Sequence, residues 1–109
     1  MNKTILICSL TVAMMFLANS AIAVSDAAKV GANAGAMIFC GDKFSGNDAS
    51  KYKLLKLRTF EAYDNLDSGD KVKALAMKKA AEDGDYLGDP LTESRCDSLR
   101  KMLFIKYKD

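Results

Sequence analysis

The stretch DAAKVGANAGAMIFCGDKF, residues 26–44, decides the fold. It follows Ser25, a good N-cap because its hydroxyl can accept an orphan backbone N–H at a helix start. Val30, Ala34, Met37 and Gly41 recur at helical spacing on one face, and Met37, Cys40 and Phe44 form an adjoining seam. Gly31 and Gly35 lie four residues apart in an alanine-rich run, so another backbone can come close. In a bilayer such a pair marks a dimerisation face. Asp26, Lys29 and Asn33 in the same stretch point instead to close packing inside an aqueous domain, with a homodimer through the Gly31/Gly35 helix as the alternative.

Toward the C-terminus, Phe44-Ser45-Gly46-Asn47-Asp48 is a run of turn formers. Asn47 or Asp48 then caps a predicted second helix over 49–66. Tyr52, Leu55, Thr59, Tyr63 and Leu66 make its stripe, while Leu54 and Leu57 lie on the other side. A helix apolar on two faces is expected at the centre of a bundle. After a second break at 64–70, Ser68 is the expected N-cap of a third helix over 69–83. Its weak stripe is Val72, Leu75, Ala76 and Ala80, and Gly84 is placed to end it. Residues 85–88 read as a loop. Asp89-Pro90 reads as N-cap and first position of a fourth helix over 90–107, since a helix tolerates proline there. Cys96, Leu99, Leu103 and Tyr107 share a face of that helix, flanked by Phe104.

Toward the N-terminus, Lys3, the apolar run from Ile5 to Leu17, and Ala21-x-Ala23 follow the order of a cleavable secretory signal over 1–23. Residues 24–109 are then a single helical domain, exported to the periplasm, with no stable membrane insertion once the signal is cut. Cleavage discards Cys8 and leaves Cys40 and Cys96, which allow one pairing. An oxidising compartment favours that pairing as a structural disulfide. Closing so long a loop contributes roughly 4 kcal/mol by chain-entropy arithmetic. That matters because so short a domain buries only about 60–65% of its unfolded surface. The expected fold is all-α: a small bundle of four helices stapled by one disulfide between the first and last helix.

The sequence is informative about chemistry mainly through what it lacks. Removal of Lys3 takes the formal net charge from +2 to +1, no basis for a nucleic-acid partner. The chain has no His to activate a thiolate or hydroxyl. It contains no phosphate loop or nucleophile elbow, so neither an enzyme nor a cofactor is expected. Asp83-Gly84-Asp85-Tyr86-Leu87-Gly88 resembles the start of a calcium loop. Leu87 stands at its fifth position and Ser94 at its twelfth, where ligands belong, so no metal is expected. Two charged stretches remain as candidate partner surface. Lys51, Lys53, Lys56 and Arg58 are dense, though Lys53 and Lys56 point away from Lys51 and Arg58 around the helix. Asp83 and Asp85 belong to an acidic segment over 82–89. The expectation is a small exported domain that binds another protein, as an inhibitor, immunity or accessory interaction protein.

One resemblance adds a second expectation. Cys40-Gly41-Asp42-Lys43-Phe44 is similar to the Cys-x-Asp-Phe of the periplasmic acid-stress chaperones of the HdeA type, with one residue inserted. Those proteins are likewise short, signal-bearing, mostly helical and held by one disulfide. The likeness covers five residues, and the surroundings of Cys96 differ from that family's second cysteine. The resemblance implies a chaperone that exposes apolar surface near pH 2–3.

Overall fold

In the computed structural model, which describes residues 25–108, α1 spans Asp26–Phe44, as predicted. Ser25 Oγ accepts from the Ala28 backbone N–H at 3.2 Å, and Asp26 in the first turn and Lys43 in the last both suit the helix dipole. The signal-peptide reading and Cys8 lie outside the described residues.

A one-turn 3₁₀ helix over Gly46–Asp48 leads into α2, Ala49–Asp64. Helix α3 spans Ser68–Glu82 and α4 spans Glu93–Tyr107. Between α3 and α4 two short strands, β1 (Asp85–Tyr86) and β2 (Asp89–Pro90), pair antiparallel, with Asp85 opposite Pro90 and Tyr86 opposite Asp89. Cys40 and Cys96 form a disulfide with a Cα–Cα distance of 5.6 Å, joining the first helix to the last. The four-helix, disulfide-stapled all-α fold read from the sequence is the fold observed.

Three expectations are corrected. The central helix is α1, not α2: α1 packs against α2, α3, α4 and β1, whereas α3 and α4 do not pack on each other. The cause is the small-residue run. Residues 31–37 are all buried, since Gly and Ala side chains let neighbours approach from several sides at once. Helix α2 instead leaves Leu54 and Leu57 40% and 58% exposed, so its second apolar face looks at solvent. Helix α2 also ends at Asp64, two residues short of the prediction.

Second, the turn before α3 is capped differently. Asp67 occupies the N-cap in extended conformation, with no side-chain cap bond, and Ser68 is already helical. The C-terminal expectation holds: Gly84 follows the Asp83 C-cap with φ 99° and donates its N–H to the Ala81 carbonyl at 3.0 Å.

Third, Asp89-Pro90 does not start α4. Leu87 (φ 52°) and Gly88 (φ 95°) form a two-residue turn with two positive φ angles, the geometry that closes tight hairpins. The Asp85 carboxylate accepts from Gly88 N–H at 2.9 Å, and the Leu91 N–H donates to the Gly84 carbonyl at 2.8 Å, extending the hairpin's closure beyond β2. Proline sits on a two-stranded edge, where its missing N–H costs no ladder bond. Thr92 caps α4 by accepting from the Arg95 N–H at 3.2 Å.

The main core draws Ala36, Met37 and Cys40 from α1, Tyr52 and Leu55 from α2, Ala81 from α3, and Leu91, Cys96, Leu99 and Leu103 from the C-terminal part. Each large apolar side chain so buried contributes about 1.5–3 kcal/mol. Thr59, fully buried, satisfies its hydroxyl by donating to the Leu55 carbonyl at 2.7 Å.

Candidate functional site

The face of α4 turned away from α2 and the hairpin wall enclose an open groove. Its floor and walls are Tyr86, Leu91, Leu99 and Met102, and its rim is Ser94, Arg95 and Ser98, with a cavity volume of about 330 Å³. Helical spacing explains the α4 contribution: Arg95, Leu99 and Met102 fall on one side of α4, next to the buried stripe of Cys96, Leu99 and Leu103. Leu91 and Leu99 are nearly covered, at 6% and 7% exposure, whereas Met102 is 55% exposed. The groove thus has a packed floor and one large, flexible apolar side chain at its lip.

The hairpin wall is held from below. The Tyr86 hydroxyl donates to Asn33 Oδ1 at 2.6 Å, and Asn33 is itself buried in α1. Burial raises the Tyr86 phenol above its usual range, with the Arg95 charge opposing the shift, so the ring stays a neutral donor at physiological pH. Asp89 and Arg95 pair at 3.3 Å, both about half exposed, linking hairpin to helix.

On the α2 side of α4 lies a charged cluster. Arg100, 7% exposed, donates to the Asp97 carboxylate, and its Nη2 lies 3.5 Å from Asp48 Oδ2. Lys101 pairs with Asp97 at 3.1 Å, and the Arg100 guanidinium lies 6.0 Å from the Tyr52 ring centre. The cluster fastens the start of α2 to α4 beside the disulfide. Burial alone would push Arg100 down, but the Asp97 hydrogen bond and the Asp48 charge outweigh it and hold the guanidinium above its ordinary range. The Arg100 hydrogen bond, then Lys101, holds Asp97 below the ordinary carboxylate range. A depressed acid stabilises the fold above its unfolded value of about 3.9 and loses that contribution as pH falls through its folded value. Asp97→Asn should therefore lower stability by a constant amount above about pH 5, and the gap to wild type should close below about pH 4. Urea unfolding from pH 7 to 2 measures this; a gap unchanged at low pH contradicts it.

The sequence-derived partner residues do not converge. Lys51 pairs with Asp48 at 3.6 Å and Arg58 with Glu61 at 3.3 Å. Lys53 and Lys56 border a shallow pocket against Met37, Ile38 and Gly41 of α1, whereas Arg58 borders one shared with Lys106 and Tyr107 of α4. The basic stretch is split between two sides of α2, as its spacing predicts. Asp83 and Asp85 are exposed at the hairpin, against which α2 does not pack. The Gly31/Gly35 face is filled by α3 of the same chain: a Cβ added at Gly31 meets Ala74 O at 2.0 Å, and at Gly35 Lys78 O at 2.1 Å. A homodimer through that face would have to displace α3.

Sequence reasoning misses the groove because it places Asp89 and Pro90 inside α4. Two signals point to it: Gly84 just before β1 and Gly88 within the tight turn that follows it, and Leu91, apolar immediately after the proline. No group of three or more metal-ligating side chains occurs among the described residues, and no helix among them is long and apolar enough to cross a membrane. The sequence matches no family model, and no curated protein or solved structure matches it.

Proposed function

We propose that this is a small exported, periplasmic protein-binding domain of the inhibitor, immunity or accessory class. The observation that carries the reading is the apolar groove between the hairpin and α4, with Met102 more than half exposed above a floor of Tyr86, Leu91 and Leu99. A concave apolar floor with a few polar rim groups is the usual form of a recognition site. Methionine suits it because the thioether adapts to irregular partners.

Site-specific photo-cross-linking in the native envelope tests the reading. A photoreactive residue at Met102 should give a discrete protein adduct, and one at Val72, 73% exposed on α3, should not. Equal labelling from both positions, or none from Met102, counts against it.

A second reading, the acid-stress chaperone, is favoured by the Asp97–Arg100 pair, since protonating Asp97 takes a counter-charge from a nearly buried guanidinium. Dye binding and sedimentation across pH 7 to 2 separate the two readings. A chaperone takes up dye and changes its association state near pH 2–3; an interaction domain does neither.

A further inference from the structure

We propose that Met102 is an oxidant-sensitive modification site, at which conversion of the thioether to a sulfoxide turns the lip of the groove polar while the fold stays intact. The consequence, release of a bound partner, rests on the protein-binding reading.

The chain leaves a two-electron oxidant few other targets. It has no His and no Trp. Cys40 and Cys96 are already joined, and neither has any solvent exposure. Among the described residues, Met37 is sealed in the core at 1% exposure, Met77 is partly buried on α3, and Met102 is 55% exposed. Thioether oxidation requires the oxidant to reach the sulfur, so Met102 should react first.

The step needs a hydroperoxide, of which hydrogen peroxide is the smallest. A sulfur lone pair attacks one peroxide oxygen, the O–O bond breaks and a sulfur–oxygen bond forms. The departing hydroxide takes the proton from the transferred oxygen and leaves as water. Sulfur is oxidised by two electrons and the peroxide is reduced by two; sulfoxide reductases reverse the change at the expense of a dithiol.

Position gives the change its effect. Met102 stands over an apolar floor of Tyr86, Leu91 and Leu99, one turn after Ser98 and two turns after Arg95, all lining the same groove. A long helical side chain leans toward the turn before its own Cα. A sulfoxide oxygen at position 102 therefore lies toward the Ser98 hydroxyl and the Arg95 guanidinium, donors for which a thioether is only a weak acceptor. Oxidation replaces an adaptable apolar contact by a polar group that holds water or these donors. Met102 is not part of the packed core, so the fold does not have to accommodate the added oxygen.

The test exposes the protein, in its exported, disulfide-bonded form, to limiting hydrogen peroxide. Trypsin then places Met37, Met77 and Met102 on separate peptides for mass analysis. Oxygen should appear on the Met102 peptide at least about tenfold faster than on that of Met37, with Met77 between them. The singly oxidised protein should melt within about 3 °C of the untreated one. A photoreactive residue at Ser98 reads the groove in the native envelope. Its protein adduct should fall at least about fivefold on peroxide treatment. It should fall without peroxide in Met102→Gln, and survive peroxide in Met102→Leu, which keeps the apolar lip without the sulfur. Met37 or Met77 reacting first overturns the site. A Met102 sulfoxide that unfolds the domain, or an adduct that persists after oxidation, overturns the switch. No adduct from the untreated protein removes the protein-binding reading and the release with it, while the peptide mapping still decides the modification site by itself.

Discussion

Gly31→Ala and Gly35→Ala should each destabilise the domain by about 2–3 kcal/mol, lowering the melting temperature by roughly 10–20 °C. The sign is not obvious beforehand, because Ala is favoured over Gly in a helix interior by about 1 kcal/mol. The clash decides it. The new methyl at position 31 would sit 2.0 Å from Ala74 O and 2.7 Å from Ala74 C, and at position 35 it would sit 2.1 Å from Lys78 O and 2.9 Å from Ala81 Cβ. The obstacles are mostly backbone atoms of α3, which cannot rotate aside as a side chain can. Helix α3 must therefore shift bodily, loosening Ala74 and Ala81, both fully buried. Gly69 is the control: it lies in the first turn of α3, and a Cβ added there meets nothing within 4 Å. Gly69→Ala should show the propensity effect alone, neutral to stabilising by up to about 1 kcal/mol. The double variant at 31 and 35 should cost less than twice either single one, since both methyls push the same helix outward. Thermal and urea unfolding of the four variants decide the matter; a Gly31→Ala variant as stable as Gly69→Ala would show that α3 yields freely.

What is legible in the sequence follows the range of the interactions involved. Ser25 capping, the extent of α1 and the C-terminal glycine of α3 depend on neighbours a turn away, and each is found where the residues place it. The Cys40–Cys96 pairing is long-range, but counting forces it once the signal reading sets Cys8 aside. The centrality of α2 is a misreading because an apolar residue on a helix need not be buried: Leu54 and Leu57 count toward amphipathicity yet face solvent. The small residues of α1, which carry little hydrophobicity, decide the centre by allowing approach. The groove is illegible for a different reason. Its hairpin wall depends on the Tyr86 hydroxyl reaching Asn33, 53 residues earlier in the chain, and no local pattern announces that bond. The proline at 90 supports a helix start and an edge strand equally well, and the turn at Leu87-Gly88 settles the competition.

Removing the disulfide should have a larger effect than either single glycine substitution. Cys40→Ala with Cys96→Ala is expected to cost about 4 kcal/mol and to lower the melting temperature on the order of 20 °C. The loop closed spans a sequence separation of 56, most of the described chain, so the unfolded ensemble gains nearly all the freedom the staple withheld. The folded side offers little to replace it. Helix α4 does not pack on α3; apart from the staple it is held by Leu99 and Leu103 in the core, by Phe104 and Tyr107 packed against it, by the Arg100 contacts to Asp48 and Tyr52, and by the exposed Arg95–Asp89 pair. Because those side chains share one core with Met37 and Leu55, release of α4 should not leave a folded remainder. Far-ultraviolet dichroism and tyrosine signals should therefore fall in one coincident transition, and photo-cross-linking from the groove should vanish with them. Both sulfurs are in residues with no solvent exposure, so reductant alone should act slowly on the intact protein and quickly once denaturant opens it. A double-alanine variant melting within a few degrees of wild type would mean that helix packing, not the staple, holds α1 and α4 together.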